Sequence, residues 1–415
     1  MGKRVAEDGE GEGCCPKKRG QAKMEHTDFL IVGGGPAGSA AGIALTRAGR
    51  TCVIVDKQRF PRVKLCGGLF TGKSQKVLQE LLGAEAYAAC MAAAVASREA
   101  KFSLWQRETE RQGEADKSMN MSGVGEMSCM VEVMPRKEIV LIDRPKFDEW
   151  MIRHYASLGG RLIEGDAVVE LDFERRVART QSGRELSYGC LIAADGANGR
   201  IGSVVQRQGR KSNALCLEIN VDRADCPDAE GVRIYFGVVP KSYAWSFVKG
   251  DKVCLGLVKL EGVEVDAQAA FRSFLQSLGV RHLENYPLRG AMLPFGNYMK
   301  VPAWGAQSVL FVGDAARLVE PLTGEGIFYA LQSGVYAAQS GGDASLYIDK
   351  VSRLQRLIDK GGWYQKWLMH PLAQQMWRDS AGKHPRFIEH FYSTQIEEAC
   401  LDSFLKIVWK YKFGG

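Results

Sequence analysis

Long apolar runs are absent from this 415-residue chain. No uninterrupted stretch approaches the roughly 18 residues of a membrane span, so no spanning helix is expected. The eleven cysteines contain no CxxC, and no cysteine–histidine spacing has the form of a metal site, so no metal is expected. No signal peptide is expected at the start, and reduced thiols in a cytoplasmic protein are expected. A GxSxG nucleophile motif is also missing, which removes the serine-hydrolase reading. Charge is scarce in net terms: +7 is modest for this length. It allows a weak attraction to anionic surfaces and does not point to nucleic acid. What is present, 46% hydrophobic and 25% charged residues, suits an ordinary soluble protein with a large core, and one or two domains are expected.

Residues 1–27 are rich in Gly, Lys and Glu and almost free of large apolar side chains. Such a composition does not offset the entropy of ordering, so a disordered tail is expected there. Lys17-Lys18-Arg19 reads as part of that solvated tail, with a basic targeting signal as the alternative. The start "MGKRVA" lacks the Ser/Thr of a myristoylation site. Met24, just before the first strand, is the expected natural start.

"DFLIVGGGPAGSAAGIALTRAG" is the strongest local signal. Phe29–Val32 reads as a buried strand, Gly33-x-Gly35-x-x-Gly38 as a tight turn, and Ala37–Ala48 as a helix. "TCVIVD" gives a second strand ending in Asp56. The first glycine permits the turn, the second lets backbone approach a pyrophosphate, and the third lets helix and strand pack closely. Phosphate is favoured at the helix N-terminus by free N–H groups and the dipole. Asp56 stands where an acid accepts from a ribose hydroxyl. Two further strands end at a sharp turn beside an acid: "GCLIAADGANGRIG", with Asp195-Gly196, and "SVLFVGDAARLVEPLTGEGI", with Gly313-Asp314. Each can set a carboxylate against a ribityl hydroxyl. Together the three describe a discontinuous FAD domain interrupted by substrate segments.

In this order and spacing the trio resembles the para-hydroxybenzoate-hydroxylase-like flavoproteins over about residues 28–340. "LIDRPKFDEWMIRHYASLGGRLIEG" is similar to a further segment of that family and implies that Arg144 lies near FAD. Phe147, Trp150, Met151 and Tyr155 in it fall at helical spacing and are expected in the core. "KLCGG" (64–68), "YAWSF" (243–247), "PLTGEGI" (321–327) and "ALQSGVYAA" (330–338) resemble the geranylgeranyl reductase branch. "FDEWM" and the early "MEH" also resemble the flavoproteins associated with colicin M resistance. One departure is that Gly199 and Gly202, with Arg200 between, stand where the family's Asp-Gly motif continues to Ser and Arg.

The implied architecture is α/β: a Rossmann-type, glutathione-reductase-like FAD domain, an inserted antiparallel-sheet substrate domain and a helical C-terminal region. The expected boundaries are 28–97, 136–211 and 301–340 for the FAD domain, 98–135 and 212–300 for the sheet, and 341–415 for the helical region. In the sheet, "ALCLEINV", "GVRIYFG" and "KVCLGLV" read as strands and Ala267–Leu278 as a helix. Expected cofactor contacts are Gly33, Gly35, Pro36, Ala37, Gly38, Asp56 and Lys57, then Cys66, Gly67 and Gly68. Arg144, Asp195, Gly196, Gly313, Asp314, Pro321, Gly324, Glu325, Gly326 and Ile327 complete them. Gly326 is expected to keep the helix entry open toward the flavin O2/N1 edge, where backbone donors stabilise negative charge. Glu325 is expected to point outward at the helix N-terminus, with a substrate-side role as the alternative.

Tyr243, Trp245 and Phe247 alternate onto one strand face. Alone that reads as a core face; the resemblance turns it into an aromatic wall beside the flavin. Tyr243 and Trp245 are therefore candidate catalytic residues together with Cys66, whose other reading is an inert thiol. The resemblance implies hydride transfer from reduced flavin to an isolated C=C bond of an isoprenoid or related lipid, with a proton from solvent or Cys66. NAD(P)H, a ferredoxin or another reductase would supply electrons; the one dinucleotide fingerprint belongs to FAD. A flavin monooxygenase is the alternative, and an FAD-binding regulatory protein without turnover a third. A halogenase would want Trp-x-Trp-x-Ile-Pro, which "SYAWSFV" lacks. At the C-terminus Val351, Leu354, Leu357 and Ile358 form one stripe, followed by Trp363, Trp367 and Leu368. The closing "FLKIVWKYKF" interleaves apolar and basic residues. A packed cap is expected, with a peripheral membrane contact as the alternative. A monomer is expected.

Overall fold

The computed structural model describes residues 24–107, 127–134, 138–205, 213–294, 297–304 and 309–368. The chain opens with β1 (Glu25–Val32), α1 (Pro36–Arg47) and β2 (Cys52–Asp56), then β3 (Leu69–Phe70), α2 (Gly72–Leu82), α3 (Ala84–Ala94) and β4 (Val95–Glu99). β5 (Phe102–Arg107), β6 (Met127–Val133) and β7 (Ile139–Ile142) lead to α4 (Arg144–Ser157). β8 (Arg161–Glu164), β9 (Val168–Asp172), β10 (Val177–Thr180), β11 (Glu185–Ala193) and the short α5 (Ile201–Val205) follow. Next come β12 (Ala214–Asp222), β13 (Val232–Phe236), β14 (Tyr243–Lys249), β15 (Lys252–Leu260), α6 (Ala267–Ser277) and β16 (Arg289–Leu293). β17 (Ala303–Trp304), β18 (Val309–Phe311), α7 (Ile327–Gln339) and α8 (Ala344–Leu368) close the described chain.

The first sheet runs β17-β18-β11-β1-β2-β8, with β10 and β9 attached antiparallel beside β11. From β18 to β8 neighbouring strands are parallel. Parallel strands carry helices on both faces and need apolar residues throughout. Thus Phe29, Leu30 and Ile31 in β1 and Val53, Ile54 and Val55 in β2 are all buried, as are Leu191 and Ile192 in β11. α1 packs between this sheet and α7, where a Cβ at Gly334 would clash with the Ala37 carbonyl. Phe147, Met151 and Tyr155 of α4 are buried as their spacing predicts, while Trp150 is partly buried against the same core.

The second sheet, β16-β12-β15-β14-β13-β5-β6, gathers the two separate strand-rich stretches of the chain. Its strands alternate between two faces. Leu217, Ile219 and Val221 face α6, where Phe271 and Phe274 close an outer core. Ala214, Cys216, Trp245, Phe247, Cys254 and Val258 face inward. A small sheet, β3-β7-β4, joins the two bodies. β7 does this by alternation: Val140 and Ile142 belong to the main core, Ile139 and Leu141 to the inward face of the second sheet.

Two expectations are adjusted. β1 begins at Glu25, earlier than Phe29, because residues 25–27 pair with Leu186–Tyr188 of β11. The α8 stripe is packed at Val351, Leu354 and Ile358, but Trp363 is 56% exposed. The rest of the expected tail (1–23), with Lys17–Arg19, and residues 369–415, with "FLKIVWKYKF", lie outside the described residues. Among the described residues no helix is long and apolar enough to cross a membrane.

Candidate active site

The glycine turn after β1 is built against the ends of two neighbouring strands. Gly33 N–H donates to the Val55 carbonyl at 2.8 Å, and a Cβ at Gly33 would clash with the Ala194 carbonyl, just before Asp195. A Cβ at Gly38 would clash with the Gly33 carbonyl, so the third glycine is needed for helix and turn to meet. α1 starts with Pro36 and has no side-chain cap, which leaves its N-terminal dipole open. Asp56, at the end of β2, accepts from Gly34 N–H at 2.7 Å and Gln58 N–H at 2.8 Å. Lys57, the next residue, is exposed.

A cation joins this turn that the sequence reading missed. A Cβ at Gly35 would lie 3.1 Å from Nη2 of Arg62. Arg62 packs over the Phe60 ring and pairs with Asp148 at 3.3 Å. Asp148 is fully buried and also accepts from Arg144 Nε and Nη2 at 2.9 and 3.0 Å. Burial opposes the charge on Arg144, but Asp148 and Cys66 beside it more than offset this, so its pKa rises above the usual arginine value. Arg144 is thus a buried cation linking the α4 entry to the Cys66 loop.

The other strand ends converge on α1. Gly313 N–H donates to Ser333 Oγ at 2.9 Å, and a Cβ at Gly313 would lie 3.0 Å from Ala37 Cβ. Asp314 pairs with Lys64 at 3.7 Å. A Cβ at Gly326 would lie 3.5 Å from Asp314 Oδ1, an ordinary contact, so the protein itself does not demand a glycine there. Asp195 is turned toward the chain that follows: its Oδ2 accepts from Ile201 N–H at 3.1 Å, and a Cβ at Gly199 would clash with its carboxylate. The departure at Gly199 therefore makes room for Asp195. Gly196 follows in the left-handed region.

Opposite lies the inward face of the second sheet. Tyr243, Trp245 and Phe247 form a file with ring centroids 6.4 and 6.3 Å apart. A Cβ at Gly67 would lie 2.6 Å from Phe247 Cε2 and 3.4 Å from Trp245 Nε1, so this loop touches the file directly. Lys249 Nζ donates to the Cys66 carbonyl at 3.3 Å, and Cys66 Sγ accepts from Gly68 N–H at 3.4 Å. Tyr243 Oη donates to the Thr323 carbonyl at 2.5 Å. Gly324 has φ +70°, and a Cβ there would be 2.6 Å from that hydroxyl. Burial raises the Tyr243 phenol far above its ordinary value, so it stays a neutral donor.

Glu325 does not point outward. Its side chain is 8% exposed and pairs with Lys73 Nζ at 2.5 Å. Thr71 Oγ1, the N-cap of α2, donates to it at 2.5 Å, and Ser74 Oγ lies at 3.5 Å. The carboxylate thus sits at the N-terminus of α2, not at that of α7. Pro321 and Ile327 are buried in packing, Pro321 next to Gly362 of α8. Glu320, unmarked in the sequence reading, shapes the same turn: it accepts from Leu322 N–H, Thr323 N–H and Thr323 Oγ1 at 2.8, 2.7 and 2.6 Å. Its cue is the spacing Glu320-x-x-Thr323, which places an acid just before a turn.

The glycine turn, the open α1 N-terminus, Arg62, Asp56 and the roomy Gly326 make a cradle that fits a dinucleotide. The sequence pattern of the family described as "FAD binding domain" matches residues 26–340. The chain belongs to this family, and FAD is its cofactor. This flavoprotein is 30% identical over 340 residues to the menaquinone reductase of Mycolicibacterium smegmatis, covering 76% of this chain and 77% of that one. It is 25% identical over 405 residues to the geranylgeranyl diphosphate reductase of Rhodobacter capsulatus, covering 91% of each. A geranylgeranyl bacteriochlorophyll reductase-like structure from Thermoplasma acidophilum has the same fold, with a TM-score of 0.69 at 19% identity, covering 94% of this chain and 98% of that one. The flavoprotein is an FAD-dependent oxidoreductase.

Proposed function

We propose that this oxidoreductase reduces isolated C=C bonds in the prenyl chain of a lipid. The observation that carries the reading is the aromatic file Tyr243–Trp245–Phe247 laid against the Cys66–Gly68 loop. A wall of rings with a buried apolar surround suits a hydrocarbon chain, which offers no polar handle and is held by shape. Relatives named for menaquinone and geranylgeranyl diphosphate reduction support it.

When bound, FAD in its reduced form supplies the hydride. The protein does the rest. The glycine turn, α1 and Arg62 would hold the pyrophosphate, and Asp56 would hold a ribose hydroxyl. Asp195 and Asp314 lie on the two strand ends that would flank the rest of the cofactor, with Gly326 open beside Asp314. Trp245 and Phe247 orient the alkene and exclude water, and Cys66 sits in the loop that touches this wall. Tyr243 ties the wall to the 320–326 turn, so substrate and cofactor surfaces keep one spacing. Electrons come from NAD(P)H or a ferredoxin-like protein, and a lipid substrate brings the protein to a membrane surface.

The deciding assay is anaerobic. The protein is reduced, prenyl lipids are added, and flavin reoxidation is followed with mass spectrometry of the products. The expected product has gained two hydrogen atoms. Gain of an oxygen atom, seen only when oxygen is admitted, would replace the reading by hydroxylation. No reoxidation with any prenyl lipid would leave an FAD-binding protein without this turnover. Co-sedimentation with liposomes, comparing the full chain with one ending at residue 403, measures the membrane contact.

A further inference from the structure

A buried carboxyl group stands on the same sheet face as the aromatic wall, two strands away. Glu218 lies on the inward face of β12, two residues from Cys216, and is 4% exposed. Its cross-strand neighbour on β15 is Gly256, whose neighbour on β14 is Trp245. A Cβ at Gly256 would clash with the Trp245 indole, so the ring lies across this gap toward Glu218. The Cys66 loop closes over the same face: Lys249 Nζ holds the Cys66 carbonyl, and the Cys66 backbone N–H faces the carboxyl. Glu218 Oε1 accepts from Asn220 Nδ2 at 3.2 Å. The charged and titratable groups around it are Lys249 on β14, Cys254 on β15, Cys216 on β12, Cys66 on the loop and Arg289 opposite on β16.

We propose that Glu218 is the general acid of the alkene reduction, an inference that rests on the function proposed above. One alkene carbon takes the hydride that reduced FAD supplies, forming a C–H bond as the π bond breaks. The Glu218 O–H bond breaks, and its proton forms the second C–H bond at the neighbouring carbon. The alkene gains two electrons and the flavin loses them; the carboxylate left behind faces the Lys249 ammonium until a proton returns from solvent.

The position suits this task better than Cys66 does. A carboxylic acid is intrinsically stronger than a thiol. Burial pushes the Glu218 carboxyl above the usual carboxylate range, and Lys249, Asn220 and Cys254 only partly oppose it. A carboxyl whose pKa burial raises is better matched to proton donation than one at its ordinary value. The neighbouring thiols are worse donors: burial pushes Cys216 and Cys254 up to about 12.

The test follows single-turnover reoxidation by a prenyl lipid across pH in wild type, Glu218→Gln and Glu218→Asp. Infrared spectroscopy of the resting FAD-loaded proteins reads the carboxyl directly. The wild-type rate is expected to fall as pH rises, since the protonated acid is the active form. Glu218→Gln should bind FAD as wild type does, lack the protonated-carboxyl band, lose this pH limb and react about 100-fold more slowly. Glu218→Asp should keep the limb at a lower rate. A Glu218→Gln protein within about three-fold of an active wild type, with the same pH profile, would overturn the assignment. So would a wild-type carboxyl that is ionised at neutral pH, a result that does not depend on any variant folding. Inertness of the wild type toward every prenyl lipid would overturn the proposed function instead.

Discussion

Glu325 gives the sharpest test of how the 320–326 turn is built. Its carboxylate and the Lys73 ammonium are 2.5 Å apart, with side chains 8% and 13% exposed. Thr71 Oγ1 donates to the same carboxylate at 2.5 Å. Glu325→Ala removes one partner of a nearly buried pair and leaves Lys73 with the Phe328 and Tyr329 rings, 5.0 and 5.6 Å away, and the charge of the buried Glu320. Breaking such a pair costs about 3–5 kcal/mol; the cation–π contacts are present with or without Glu325 and do not offset it. A loss of about 3–5 kcal/mol is expected. Glu325→Gln keeps an acceptor for Thr71 and should lose about 1–2 kcal/mol. The double change Lys73→Met with Glu325→Leu should recover most of the loss, because neither member of this pair is then left buried without the other. Urea midpoints of the FAD-loaded proteins measure these differences, with FAD affinity followed in parallel. The reasoning is refuted if Glu325→Ala is as stable as wild type within about 0.5 kcal/mol while turnover is abolished. That result would make Glu325 part of the chemistry and not a tie between the turn and α2.

Gly326→Ala should leave the fold intact, since the new Cβ meets Asp314 Oδ1 and Val319 only at ordinary distances. FAD affinity should nevertheless fall at least about ten-fold, a loss of about 1.4 kcal/mol that calorimetry reads directly; unchanged affinity would remove Gly326 from the cofactor cradle. Gly361→Ala should destabilise by about 1–3 kcal/mol, because its Cβ would clash with the Glu320 carboxylate. Its neighbour Gly362, where a Cβ would lie 3.6 Å from Pro321 Cγ, should accept Ala and gain up to about 1 kcal/mol of helix propensity; equal melting temperatures for the two variants would contradict the packing. Tyr243→Phe should cost about 1 kcal/mol by leaving the Thr323 carbonyl unpaired, and should weaken lipid and FAD binding together, as titrations of each would show.

The sequence made legible whatever depends on backbone constraints within one short stretch. Gly33, Gly35, Gly38 and Asp56 serve a turn and two strands that are contiguous, so their spacing alone carries the geometry. The alternation of Tyr243, Trp245 and Phe247 follows from strand period in the same way. What stayed hidden depends on partners far away in the chain. Glu325 was open to an outward or a substrate-side reading because Thr71 and Lys73, which capture it, belong to α2; its separation from Thr71 is 254 residues. Arg62 carries no motif of its own and gains meaning only beside Gly35 and Asp148. Lys57 is expected at the cofactor from its position after Asp56; its side chain is exposed, beside the buried Asp56.

Glu218 shows the same limit most clearly. "ALCLEINV" reads as a strand, and nothing in it marks Glu218. Its role emerges only because both faces of β12 are covered: α6 buries Leu217 and Ile219, and the Cys66 loop with Trp245 closes over Cys216 and Glu218. A cue was available in the neighbouring strand. Gly256 in "KVCLGLV" costs β15 a side chain in mid-strand, which is unfavourable unless something else must fill the space. The Trp245 indole fills it, and so a glycine on one strand and an indole on another fix the surroundings of a carboxylate on a third. Gly256→Ala should therefore displace Trp245 and disturb Glu218 with no direct contact to cofactor or lipid. Its expected signature is a changed indole fluorescence and a shifted pH limb of reoxidation. An unchanged limb with a displaced indole would separate the acid from the wall.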